Sequence, residues 1–197
     1  MKILVRYVAP IILVAALWAG CSEKKNDNAD SSKGLKGKSG NGSIALAALE
    51  SGKLDIAKRS AEAMLKSNTD IKSWNYGNII YEANAILGRV ALRQNDLEAA
   101  RMYLLESGKT PGSPQLNSFG PRFILDRELL EKGEKVVVLE HLELVSKFWG
   151  NINRNYGGLP PGSAANSQRV DADNASKLAQ WKKEIEEGKI PSDPQWK

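Results

Sequence analysis

From Ile44 onward, apolar residues recur at intervals of three and four, and this spacing constrains the fold more than any other feature of the chain. It places apolar side chains on one face of an α-helix, whereas a half-buried strand needs strict alternation. No convincing alternating pattern occurs in this part of the chain. The sequence therefore predicts an all-α domain.

The clearest helical unit runs from Ile79 to Ser107. Its first helix carries an apolar stripe of Ile80, Ala83, Leu87, Val90 and Ala91. A turn follows at Gln94-Asn95-Asp96, and Asp96 is placed to cap the second helix. The apolar residues of that second helix are Leu97, Ala100, Tyr103 and Leu104. This pattern predicts two helices joined by a short turn.

Gly88 in the first helix and Ala100 in the second are small residues twelve positions apart. Glycine costs roughly 1 kcal/mol relative to alanine inside a helix, so close packing is the natural reason for it. Together with Leu87 and Leu104, this spacing resembles the tetratricopeptide repeat. The resemblance implies a short stack of antiparallel helical hairpins, forming a right-handed superhelix over residues 44–150. An ordinary antiparallel helical bundle is the alternative.

Two further units flank the first one. Gly52, Asn95 and Gly133 occupy equivalent turn positions, with spacings of 43 and 38 residues. Because the repeat norm is about 34 residues, these units contain insertions, at 67–76 and at 109–120. Asp126 stands in the third unit where Gly88 stands in the second.

The 109–120 insertion is rich in glycine, proline and serine. Gly108 suits the end of a helix, and we expect Ser118 just ahead of the next helix and Pro121 in its first turn. The run from Glu106 to Pro121, with 128–134 and Phe148-Trp149, resembles a group of bacterial tetratricopeptide-like proteins of undefined role. That resemblance implies the fold and nothing catalytic. The insertion is either a ligand contact or a packed connector.

Residues 151–197 are predicted to form a loop and a capping helix. The loop spans 156–167, and the helix spans 173–187, with Asp171 or Asp173 as its cap. Its buried stripe consists of Leu178, Trp181 and Ile185. We expect this helix to cover the apolar face of the last repeat, and Trp196 to pack back onto the stack.

Residues Met1–Gly20 have the order of a secretory signal: Lys2 and Arg6, an apolar run, and the small residues Ala19-Gly20. The run is shorter than the roughly 20 residues of a membrane span, and Pro10 interrupts it. Cleavage after Gly20 would remove 20 of the 197 residues and leave 177, enough for one domain with a real core. An uncleaved N-terminal anchor is the alternative.

Cys21 is the only cysteine of the chain, so an intramolecular disulfide is excluded. The segment Leu17-Trp18-Ala19-Gly20-Cys21 resembles the bacterial lipobox, with Trp18 where leucine is usual. This resemblance implies lipid attachment at Cys21. A plain secretory signal followed by a coincidental cysteine is the alternative.

Residues 21–43 contain almost no large apolar side chain and are predicted to form a flexible polar tether. Its lysines can touch anionic headgroups, but a solubilising spacer is the simpler interpretation. The formal net charge is +5, and it falls to +3 without Lys2 and Arg6. That balance is too mild to indicate nucleic-acid binding.

The sequence offers no catalytic residue set, no metal cluster, no phosphate loop and no cofactor motif. His141, the sole histidine, has no metal-ligand partner at helical spacing, so a structural role is favoured. Arg89 and Arg127 are equivalent in successive first helices, and Arg93 lies one turn after Arg89. These three guanidinium groups are candidate partner-binding residues, suited to an acidic peptide or a C-terminus.

The sequence therefore predicts a membrane-anchored lipoprotein that binds a protein or peptide partner through a helical-repeat domain, without turnover. With Ser22 after the cysteine, the periplasmic face of the outer membrane is favoured, or the outer face of the cytoplasmic membrane in a cell with one membrane. One alternative is an assembly component that docks through four tryptophans, Trp74, Trp149, Trp181 and Trp196. Another is a non-catalytic accessory to an envelope enzyme.

Overall fold

A computed structural model of the chain describes residues 40–151, 153, 155 and 160–197. These residues belong to one compact unit, and they form helices and no strand. The helices are α1 (Gly40–Glu50), α2 (Leu54–Ser67), α3 (Tyr76–Arg93), α4 (Leu97–Gly108), α5 (Pro114–Phe119), α6 (Ile124–Leu130), α7 (Lys135–Val145) and α8 (Pro161–Glu186), followed by a 3-10 turn at Pro194–Trp196. The prediction of an all-α domain is confirmed.

The signal sequence Met1–Gly20, Cys21 and most of the 21–43 tether lie outside the described residues. Helix α1 begins at Gly40, inside the segment that was expected to be tether. None of the described helices is long and apolar enough to cross a membrane.

Helices α3 and α4 form the predicted pair around the turn at 94–96. The Asp96 carboxylate accepts a hydrogen bond of 3.0 Å from the Ala99 amide and caps α4. Asn95 has a φ of 61°, a left-handed conformation that asparagine tolerates well. The turn therefore follows from the local sequence, and α3 and α4 pack against each other along their length.

Gly88 lies where α3 meets its neighbours. A Cβ at this position would stand 2.4 Å from Leu125 Cδ2 and 3.3 Å from Tyr103 Cβ. Helices α4 and α6 therefore approach the α3 backbone too closely for a side chain. The packing reason expected for this glycine is confirmed.

The core consists of two apolar clusters. One joins α1, α2 and α3 through residues such as Ala45, Ala61 and Ile86. The other joins α3 to α8 and includes Leu104, Leu142 and Leu178. Because α3 contributes to both clusters, it connects the two halves of the described domain.

The connector between α4 and α6 differs from the expectation. Ser113 caps α5, and its Oγ accepts a hydrogen bond from the Leu116 amide, so Ser118 lies within a helix rather than ahead of one. Helix α6 begins only at Ile124, so the prediction that Pro121 lies in its first turn was wrong. The connector is closely packed, because a Cβ on Gly77 would stand 1.9 Å from the Gly112 carbonyl oxygen.

Helix α8 begins at Pro161, twelve residues before the predicted start at Asp173. Asp171 and Asp173 are therefore inside the helix, and neither caps it. The polar sequence before Asp173 predicts a loop, but proline fits the first turn of a helix. The predicted stripe of Leu178, Trp181 and Ile185 is buried, and α8 packs on α7.

An aromatic cluster closes this end of the domain. The rings of Trp149 and Trp181 are stacked with centroids 5.6 Å apart, and Phe123 stacks on Trp196 at 5.0 Å. The three tryptophans are at most 3% exposed. Trp196 packs back as predicted, but these tryptophans are not available as docking surfaces. The expectation of a four-tryptophan docking face is wrong for three of its members, because aromatic packing buries them.

Candidate functional site

Arg89 is a buried ion-pair centre. Its side chain is 8% exposed, and its guanidinium binds Glu50 of α1 at 3.0 Å and Glu128 of α6 at 3.1 Å. Arg93 also binds Glu128, at 3.2 Å. A buried arginine needs such partners, because an unpaired buried charge costs several kcal/mol. Arg89 therefore joins α1, α3 and α6.

Arg127 is exposed and binds Glu131 one turn later at 3.0 Å. All three arginines singled out from the sequence thus already have carboxylate partners within the chain. An acidic ligand would have to displace these carboxylates to bind there. The assignment of this trio to partner binding remains a prediction, and the structure offers a different arginine in a more accessible place.

That place is an open groove of about 660 Å³ between α1, α3 and the α5–α6 segment. Leu46 of α1, Ile79 and Ala85 of α3, and Ile124 and Leu125 of α6 contribute apolar surface to it. Arg89 reaches its wall, whereas Arg93 and Arg127 are not among its lining residues. A concave, mainly apolar surface with a few polar groups is the usual form of a binding site.

Two large aromatic residues lie along this groove and remain open to solvent. Trp74 is 66% exposed and Phe119 is 77% exposed. Both come from the insertions between helices, at 67–76 and 109–120. Exposed aromatic side chains beside an apolar groove are typical of binding surfaces, because they supply contact area at a low entropy cost.

The two insertions are tied together by an amide network. Asn78 Nδ2 donates to Asn75 Oδ1 and to Gln115 Oε1, at 2.7 Å in both cases. The Ser113 hydroxyl donates to Asn78 Oδ1. This network holds α5 against the start of α3, so the insertion at 109–120 is a packed connector that also provides groove surface. The packed connector is thus observed, and the ligand contact stays a prediction.

Glu82 and Arg122 are the groove's two charged side chains without a direct partner in the described part of the chain. Burial raises the pKa of the Glu82 carboxyl, and the charge of Arg122 acts in the opposite direction. Neither residue stood out in the sequence. A signal for Arg122 was present, since it directly follows the conspicuous run that ends at Pro121.

Behind the groove lies a polar triad that the sequence did not indicate. His141 Nδ1 is 2.6 Å from Asp126 Oδ1, and His141 Nε2 is 3.1 Å from Ser107 Oγ. These distances are those of a serine–histidine–aspartate catalytic set. The sequence shows no serine–histidine–aspartate set, yet the structure brings these three side chains within hydrogen-bond distance, because each comes from a different helix.

The triad is sealed, since all three side chains are 0% exposed. Its hydrogen bonds also differ from those of an activated serine. The Ser107 hydroxyl donates its one proton to the Leu104 carbonyl at 2.6 Å, which leaves Ser107 Oγ as the acceptor from His141 Nε2. In this arrangement the imidazole cannot take a proton from Ser107. The geometry supports the structural role expected for His141.

Tyr81 separates the triad from the groove. Its ring lies 6.0 Å from that of His141, and its hydroxyl donates to the Arg122 carbonyl at 3.0 Å. Burial, and then the negative charge of Asp126, raise the pKa of Tyr81 well above its usual value. Tyr81 therefore stays a neutral hydrogen-bond donor that fixes the backbone at Arg122.

Within the described residues, no group of three or more histidine, cysteine, aspartate or glutamate side chains is placed to hold a metal ion. Cys21, the predicted lipid-attachment residue, lies outside that part of the chain.

The described residues form an all-helical domain with an open groove that is bordered by exposed aromatic side chains. Comparisons of the chain with protein-family models, with curated proteins and with solved structures find no match.

Proposed function

We propose that this chain is an exported lipoprotein, anchored through Cys21, whose helical domain binds a segment of a partner protein in the groove between α1, α3 and α6. The mechanism is binding without turnover. The observation that carries the proposal is the open apolar groove with Trp74 and Phe119 exposed along it.

The contacts between helices support a tetratricopeptide-like arrangement. Three pairs pack internally, namely α1 with α2, α3 with α4, and α6 with α7. The first helices of successive pairs also touch, α1 with α3 and α3 with α6, and so do the second helices α4 and α7. Stacked helical pairs produce this pattern, and the first helices then form one shared surface. The groove lies on that surface.

The groove suits a polypeptide segment. Apolar side chains of a partner would displace water from the half-buried Leu46, Ala85 and Ile124, which is the main source of affinity in such a site. Trp74 and Phe119 would then close over the bound segment from the two insertions. Because the amide network already holds the second insertion in place, little ordering is required on binding.

The anchor is proposed from the sequence. Cleavage before Cys21 and lipid attachment would display the domain at the membrane surface, on the periplasmic face of the outer membrane in a cell with two membranes. Mass analysis of the N-terminal peptide tests this, and an unmodified Cys21 would contradict it. The groove proposal does not depend on that result.

Capture of the partner tests the groove. The full chain, tagged at its C-terminus, is purified from mildly solubilised envelopes after brief chemical fixation in cells. We expect Trp74→Ser and Phe119→Ser each to reduce the recovered partner by about tenfold, because large aromatic anchors commonly contribute 1.4 kcal/mol or more.

Val136 provides the matched control. It is 78% exposed, close to the 77% of Phe119, but it lies on α7 and does not line the groove. Val136→Ser should leave recovery unchanged. Equal recovery with all three variants would contradict the groove assignment.

A further inference from the structure

Some charged side chains of the groove form ion pairs within the chain, and the others are open to a partner. Arg89 is held by Glu50 and Glu128, neither of which lines the groove. Arg122 has no ion pair or side-chain hydrogen bond in the described part of the chain, and the same is true of Glu82. The two charges act on each other through space, since Arg122 lowers the pKa of Glu82, but no described ion pair occupies either of them. The groove therefore presents one charge of each sign to a partner.

Arg122 is held in position by its backbone. The Tyr81 hydroxyl and the Gln195 side chain bind the carbonyl groups of Arg122 and Pro121, at 3.0 Å in both cases. The side chain itself is exposed. A guanidinium on a fixed backbone, with no hydrogen-bond acceptor among the described residues, is well suited to a carboxylate, which it can bind through two parallel hydrogen bonds.

Glu82 lies on α3 across from the beginning of α1. Its carboxylate oxygens come within 3.1 Å of the place where a side chain on Gly42 would begin, so the glycine leaves room for this carboxylate. Neighbouring atoms partly desolvate the carboxyl and raise its pKa, and the charge of Arg122 acts in the opposite direction. A carboxylate in this state gains from a positively charged partner.

We propose that Arg122 and Glu82 together select the occupant of the groove, a polypeptide segment with one acidic and one basic residue beside its apolar anchors. The acidic group binds Arg122 and the basic group binds Glu82. This inference rests on the proposed function and specifies which charges the bound segment carries. It also replaces the purely acidic peptide that the arginine trio had indicated.

Charge reversal tests this pairing. We expect Arg122→Glu and Glu82→Lys each to lower recovery of the partner, by about tenfold, because like charges then face each other across the interface. Exposed groups outside the groove provide the controls, namely Lys132→Glu and Glu140→Lys. These should leave recovery unchanged, and circular dichroism should show the same helix content in all variants.

The alternatives give different results. If the partner segment is only acidic, Glu82→Lys raises recovery, and if it is only basic, Arg122→Glu raises it. Either increase overturns the proposal, and so does unchanged recovery with both variants. If only this inference fails, the Trp74 and Phe119 variants still lose the partner. If the proposed function fails, those two variants retain it.

Discussion

His141 and Asp126 form a fully buried polar contact that links α7 to α6. Ser107 extends it to α4. A contact of this kind adds little stability over a well-packed apolar core, but removing one partner leaves the other buried and unsatisfied. We therefore expect the loss of any one member of the triad to destabilise the packing of these three helices.

Asp126→Ala tests that role. The change leaves His141 Nδ1 without its partner at 2.6 Å, so the free energy of unfolding should fall by about 3 kcal/mol. Urea unfolding, followed by circular dichroism, measures the loss. Asp173→Ala, at an exposed position within α8, is the control and should change stability by less than about 0.5 kcal/mol. A similar small effect for both variants would contradict the account of the triad.

Arg89 shows why a residue type alone does not identify a binding site. The sequence predicts that Arg89 lines a groove, and the structure puts it in a groove wall, where it is already paired. The two glutamates that neutralise it come from positions 39 residues away on either side. Such distant pairing leaves no local signal, so the available guanidinium, Arg122, could not be distinguished from the occupied one.

At the scale of secondary-structure elements, the close approach of α4 and α6 to α3 depends on Gly88. Alanine there would gain about 1 kcal/mol of helix propensity but would overlap Leu125, and overpacking typically costs 1–3 kcal/mol. We expect Gly88→Ala to lower the free energy of unfolding by about 1 kcal/mol, measured by urea unfolding.

Gly162 offers the opposite case within α8. A Cβ at this position would meet no heavy atom within 4 Å. Gly162→Ala should therefore leave stability unchanged or raise it by up to about 1 kcal/mol, since alanine restricts the unfolded chain. If Gly88→Ala were as well tolerated as Gly162→Ala, the packing explanation of Gly88 would fail.

The elements differ in how well the sequence predicts them. The α3–α4 pair was predicted from a strong apolar period and the Asp96 cap, both local features. The start of α8 was missed because its first turns are polar and the helix packs only through its later residues, such as Leu178. Helix α5 was missed because a six-residue helix has no periodicity to detect, and its Ser113 cap lies among other turn-forming residues.

At the scale of the whole molecule, the groove exists only because three helices and two insertions come together. The apolar period predicted the helices, and the comparison of units predicted that their first members share a surface. The depth of the groove and its charges depend on how α5 and Arg122 pack after folding. The prediction of a binding domain thus came from the sequence, while the position and chemistry of the proposed site are inferred from the structure.

The central claim is that the partner binds in the groove and not elsewhere on the domain. Site-specific photocrosslinking in intact cells tests it most directly, with a photoreactive amino acid replacing Phe119 in one strain and Val136 in another. Both positions are equally open to solvent, so neither is favoured by exposure alone. We predict a discrete crosslinked product from position 119 and none from position 136. Equal products from both positions, or a product from position 136 alone, would contradict the account.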